Sequence, residues 1–216
     1  MGKSLPVIRP PASDAATALL DRALAPPVTE LHGLPVSRSI LSGTVAKGTY
    51  SSLLQSLLTM HRSLERALSE AGHVKGFDAP AFRRADALIR DLRILGGHLP
   101  VRANEFLDQF ESLVHAWMRP PCASLVGALY AVEWERKDSF RLARPLATAL
   151  RLKVAPRSGL DYHLDGSDRA VRRFGELKGW IDAHVRHTDR AKDLVEGALR
   201  TMQTLVAIHR HVDSPA

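Results

Sequence analysis

The sequence predicts an all-α protein. Two observations carry that expectation: apolar residues recur at three- and four-residue spacing through several long segments, and no alternation of period two lies between hairpin turns. A third is punctuation, because Pro26–Pro27, Gly72, Gly96–Gly97 and Pro120–Pro121 fall where the apolar periodicity stops. No segment repeats at a fixed period of about 20 to 50 residues, so the helices form one compact body rather than a solenoid. Eight or nine helices are expected.

Residues 1–12 contain Pro6, Pro10 and Pro11 and read as an extended tail, which leaves 13–216 as a single domain. Ser13 or Asp14 caps a short helix to about Leu24, with Pro26–Pro27 as its stop. A short element follows from Val28 to Ser42–Gly43, with Pro35 in its first turn, which places His32 at or before a helix start. From Ala46 to Ala71 the stripe Tyr50, Leu53, Leu54, Leu57, Leu58, His61, Leu64 and Leu68 makes the clearest helix. Pro80–Leu95 and Val101–Met118 pass the same test. The run Leu125–Ser139, LVGALYAVEWERKDS, is apolar for eight residues and then turns polar at Glu133. Arg141–Lys153 is a further element, and Pro156–Gly166 a loop. A helix capped by Ser167 or Asp168 runs to about Val185, and a last one covers Asp189–His211.

The chain has 216 residues, 45% of them hydrophobic and 25% charged, which is enough apolar material for a core and excludes a disordered or fibrous class. No apolar run approaches the roughly 18 to 20 residues that cross a bilayer, and the N-terminus lacks the apolar block of a secretory signal, so a cytoplasmic protein is expected. Cys122 is the sole cysteine, which excludes an intramolecular disulfide and thiolate-rich metal sites. The formal charge of +7 is spread singly and in pairs, and only 6% of residues are aromatic, so nucleic-acid binding is not expected. P-loop, GxGxxG and GxSxG signatures are missing.

Three pieces in order resemble the bacterial heme oxygenases and the wider heme-oxygenase-like superfamily. His32 stands eighteen residues ahead of Tyr50, which opens the helix YSSLLQSLLTMHRSLERAL with Glu65 near its end. RRADALIRDLRILG, Arg83 to Gly96, is similar to that family's arginine-then-"DL..LG" helix. LVGALYAVE, Leu125 to Glu133, is similar to its "GALYVLEG" distal helix. The resemblance spans about residues 28–211. It implies the fold, heme or a related tetrapyrrole as cofactor, His32 as axial ligand of the iron, Glu133, Trp134 and Asp138 beside the heme on the distal helix, and an electron-donor reductase as partner. It also implies oxygen-dependent opening of heme to biliverdin. A distal helix must approach the porphyrin closely, which is why the family places glycines after that glutamate. Here those positions hold Trp134, Asp138 and Ser139. The second reading is therefore a non-catalytic binding or interaction homologue whose pocket Trp134 closes, or a redox or transferase relative acting on another small molecule.

Other chemistries have partial signatures. A di-iron site of the superfamily would use Glu133 with a late His-x3-Asp-x2-His run, but His163, Asp165 and Asp168 have the wrong spacing and Val171 stands where a histidine is needed. Cys122 at a helix start suits a low-pKa nucleophile, although it lies eleven residues before Glu133 and the cysteine-to-tyrosine spacing of thiaminase-II-like proteins is not reproduced. Glu111 with His115, His61 with Glu65, and His184 with His187 each share a helix face or end, yet a metal needs three or more ligands.

Overall fold

The computed structural model describes residues 15–71, 79–97, 104–120, 122–164, 167–185 and 188–213. Among these are ten α-helices and two short 3-10 turns, with no strand. The helices are α1 Ala16–Gly33, α2 Pro35–Leu41, α3 Lys47–Glu70, α4 Ala85–Leu95, α5 Glu105–Trp117, α6 Ala123–Arg136, α7 Ala143–Leu150, α8 Asp161–Leu164, α9 Ser167–His184 and α10 Thr188–Asp213. The tail 1–12 lies outside the described residues.

The helix α6 is the centre of the bundle. Every residue from Leu125 to Glu133 is buried, so the helix has no solvent face, as expected of one that is apolar all round. It packs most extensively on α10, and touches α3, α5, α9 and α1 as well. Two glycines make the α6–α10 crossing. A Cβ on Gly127 would stand 1.9 Å from the carbonyl oxygen of Leu194, and one on Gly197 would stand 2.0 Å from that of Ser124. Both obstructions are backbone, so neither position accepts any side chain while the helices stay where they are. Leu194, Ala198, Met202 and Leu205 of α10 fill the remainder of the seam.

The helix expected to stop at Pro26–Pro27 does not stop there. The ring nitrogens of Pro26 and Pro27 remove two helical hydrogen bonds, but Leu20, Leu24, Val28 and Leu31 form one buried stripe across them, and this burial, about 1.5 to 3 kcal/mol per large side chain, holds α1 together. The break falls instead at Leu34, which is extended (φ −70°, ψ 149°) ahead of Pro35. His32 consequently sits inside the last turn of α1 rather than before a helix.

Carboxylates on one helix cap the next. Glu65 Oε1 of α3 accepts the backbone N–H groups of Arg84 (2.6 Å) and Ala85 (3.0 Å), fixing the start of α4. This is why the expected helix from Pro80 begins at Ala85, after a 3-10 turn. Asp91 of α4 accepts the N–H groups of Asp161 and Tyr162, both at 2.8 Å, and turns part of the expected loop 156–166 into α8. Both caps come from far along the chain, so local sequence does not show them.

Candidate functional site

A cleft of about 330 Å³ opens between the end of α1, α2, the C-terminal half of α6 and α10. Leu31 and Ile40 supply its apolar floor, and His32, His209, Trp134 and Asp138 stand around it. Its volume is at the lower end of the range for small-ligand pockets. The cleft brings together three of the residues the sequence singled out: His32, Trp134 and Asp138. Glu133 is on the other side of the helix.

His32 is partly exposed at the rim. Its partial burial, and then the charge of Lys137, hold its pKa below the usual value, so the imidazole is neutral at pH 7 and has a lone pair to offer a metal. His209, which sequence reasoning did not single out, presents a second imidazole. Its Nδ1–H donates to the carbonyl of Leu205 (2.8 Å), which leaves Nε2 unprotonated, and burial lowers its pKa to about 4. A histidine on an apolar helical stripe was its only signal.

Trp134 forms the α6 wall. Lys137 Nζ lies 3.7 Å from the centroid of its ring and donates to its backbone carbonyl at 3.3 Å. The indole also lies near Asp21 of α1 and contributes to the lowering of its pKa. Asp21 collects two donors, Tyr130 Oη at 2.5 Å and Lys178 Nζ at 2.8 Å. Burial alone would raise the pKa of Asp21, but Lys178, Tyr130 and Trp134 together outweigh it and the net shift is downward. Trp134 thereby links α6 to α1 across the space between them. Asp138 takes ion pairs from Lys137 (3.6 Å) and Arg141 (3.8 Å), which keeps its carboxylate at the cleft mouth.

Behind the cleft lies a buried polar cluster. Glu133, 1% exposed, faces Arg84, 2% exposed, with Arg84 Nη2 at 3.4 Å from either carboxylate oxygen. Arg136 stands over the Tyr162 ring at 4.7 Å. Tyr162 Oη meets His61 Nε2 at 3.1 Å, and Tyr50 stacks on His163 with ring centroids 6.1 Å apart. Burial, then the charge of Arg136, depresses the pKa of His163 to about 3. Arg136 follows Glu133 at i+3, so the two lie on the same face of α6.

Among the remaining partial signatures, His61 and Glu65 stay adjacent, with His61 Nδ1 3.8 Å from Glu65 Oε1. Among the described residues no group of three or more His, Cys, Asp or Glu could hold a metal ion. Burial raises the pKa of the Cys122 thiol, whose Sγ contacts the carbonyl of Met118 at 3.3 Å, the opposite of an activated nucleophile. Glu111 is paired with Arg66, and His184 stacks on Trp180. Asp165 and His187 lie outside the described residues.

These helices define an all-α bundle with a cleft beside its central helix. Comparison with solved structures identifies it as heme-oxygenase-like. A heme oxygenase from Leptospira interrogans matches with a TM-score of 0.80 at 15% identity, covering 91% of this chain and 99% of that one. Heme oxygenase-1 from the cyanobacterium Synechocystis, in complex with heme, matches at 0.76 and 13% identity, covering 92% of each. Heme oxygenase 2 from Chlamydomonas reinhardtii, without heme, matches at 0.80 and 16% identity, covering 94% and 100%. No protein-family model matches the chain, and no curated protein sequence does either. No helix among the described residues is long and apolar enough to cross a membrane.

Proposed function

We propose that this protein binds heme or a related tetrapyrrole in the cleft beside His32 and does not turn it over efficiently. The observation that carries the reading is the cleft itself, which opens between α1 and the C-terminal half of α6 with a neutral imidazole at its rim. The residues on the α1 side fit the group: His32 can ligate iron, and Leu31 and Ile40 supply apolar contact for a macrocycle. Lys137 and Arg141 line the same cleft and suit carboxylate side groups. The α6 side fits less well. At about 330 Å³ the cleft holds a full macrocycle only when Trp134 swings away from Asp21 and Lys137.

Bound heme would supply the redox-active iron. The chain's own residues would orient it through His32 and restrict the space on its α6 face through Trp134. Asp138 places a carboxylate near a ligand that is already anionic, which disfavours tight approach of α6. These features support a binding protein over a heme-cleaving enzyme. If a reductase serves it, the partner must deliver electrons to a cleft that Trp134 narrows.

Titration of the purified protein with hemin tests the reading. A saturable Soret shift that His32→Ala alters is the expected result. A shift lost in His209→Ala and kept in His32→Ala would transfer the axial role to His209. No Soret shift in the wild type would sink tetrapyrrole binding, and biliverdin formation with a reductase and oxygen would overturn the claim of inefficient turnover.

A further inference from the structure

Three contacts of the cleft wall converge on one atom. Lys137 Nζ stands 3.7 Å from the centroid of the Trp134 ring, donates to the Trp134 carbonyl at 3.3 Å and lies 3.6 Å from Oδ2 of Asp138. Lys137, Trp134 and Asp138 all line the cleft, and so does His32, whose pKa the same ammonium lowers through its charge. The Lys137 side chain is 29% exposed, so a ligand entering the cleft can reach it.

Of the three contacts the ring face is the weakest. A π cloud attracts an ammonium through its quadrupole alone, whereas a carboxylate offers a full opposite charge and lone pairs that accept the N–H groups. A carboxylate carried into the cleft by a ligand therefore competes well for Nζ. The acidic neighbours are not stranded by the exchange. Asp138 keeps Arg141, whose Nη2 is 3.8 Å from Oδ1, and Asp21, near the indole, keeps Lys178 at 2.8 Å and the Tyr130 hydroxyl. What the exchange removes is the cation on the face of Trp134.

We propose that Lys137 selects ligands by their carboxylates: it holds Trp134 across the cleft until a ligand carboxylate draws the ammonium off the ring, and the freed indole then gives way. The inference rests on the reading that the cleft binds a tetrapyrrole, and it adds the condition for entry. A macrocycle with free carboxylates opens the wall. One whose carboxylates are esterified meets it closed.

Two measurements on the full-length protein test it. In a Trp117→Phe, Trp180→Phe background Trp134 is the sole indole, and its quenching by acrylamide reports how firmly it is held. The quenching constant should rise about twofold or more in Lys137→Met and stay near the parent value in Lys137→Arg, which keeps a cation beside the ring. Hemin and hemin dimethyl ester, presented in the same detergent, are then compared through the Soret band. The parent should prefer hemin by about tenfold or more, and Lys137→Met by no more than about threefold, because the variant binds hemin less tightly and the ester more tightly. The gain for the ester is the part that loss of a surface charge alone would not produce. An unchanged quenching constant in Lys137→Met, or hemin binding accompanied by no gain for the ester in that variant, would overturn the inference alone. No Soret change with either ligand in either protein would overturn the tetrapyrrole reading and the inference with it.

Discussion

The two halves of α6 are built on opposite rules. From Ala123 to Val132 the helix meets its neighbours through small and aliphatic residues and one tyrosine, Tyr130, and at Gly127 it lets the α10 backbone approach closer than any side chain would permit. From Glu133 to Arg136 it meets them through two carboxylates, an indole and a guanidinium. The first half places the helix and does no chemistry. The second half has room for chemistry because the first has already fixed the axis, so its side chains divide between the cleft and the buried cluster.

The largest effect should come from the first half. Gly127→Ala or Gly197→Ala drives a Cβ into a backbone carbonyl, and an urea titration should show a loss on the order of 4 kcal/mol or more, or no folded protein at all. A loss below about 1 kcal/mol would mean that α6 and α10 slide apart easily, and would break the distinction between the halves.

In the second half, Glu133→Ala leaves the Arg84 guanidinium buried without its counter-charge. The expected cost is about 3 to 5 kcal/mol. Replacing both partners, Glu133→Leu with Arg84→Met, should recover much of it, because an apolar pair of similar volume carries no desolvation penalty. A double variant as unstable as the single one would show that the pair acts through its wider hydrogen bonds rather than through its charges.

The buried histidines make the polar side of the molecule sensitive to acid. His163 and His209 titrate near pH 3 and 4 when folded, against about 6.5 unfolded, so the unfolded chain binds more protons below pH 6.5 and stability falls as the pH drops. At pH 5 each histidine costs on the order of 2 kcal/mol. Asp91 works the other way, since burial raises its folded pKa to about 6 and the folded state gains on the order of 1 kcal/mol as that proton binds. The net expectation from these three groups between pH 7 and pH 5 is a loss of about 3 kcal/mol in urea unfolding, and a flat profile would contradict the neutral, buried state assigned to these rings.

Much of this division was legible in the sequence. LVGALYAVE showed no polar face, which marks a helix buried all round, and WERKDS showed where that ends. The resemblance of the distal helix singled out Trp134, and the structure has it lining a cleft. What sequence could not show were contacts across long separations: Asp21 reaching Trp134 and Tyr130, Glu65 and Asp91 capping distant helices, and Gly197 matched to Ser124. Pro26–Pro27 misled because a local rule for ending a helix was overridden by the buried stripe from Leu20 to Leu31. His209 was hidden for a simpler reason, since one histidine on an apolar stripe looks the same whether it fills a core or faces a cleft.

The smallest change in stability should bring the most informative change in binding. Trp134→Gly removes a half-buried ring together with its contacts to Asp21 and Lys137, and opens the α6 wall of the cleft. The decisive measurement is the hemin affinity of Trp134→Gly against the wild type, read from the Soret band. If the second half of α6 forms a wall that Trp134 narrows, the variant binds hemin at least about tenfold more tightly, a difference of one decade in Kd. Equal or weaker binding would contradict it and place the ligand elsewhere in the molecule.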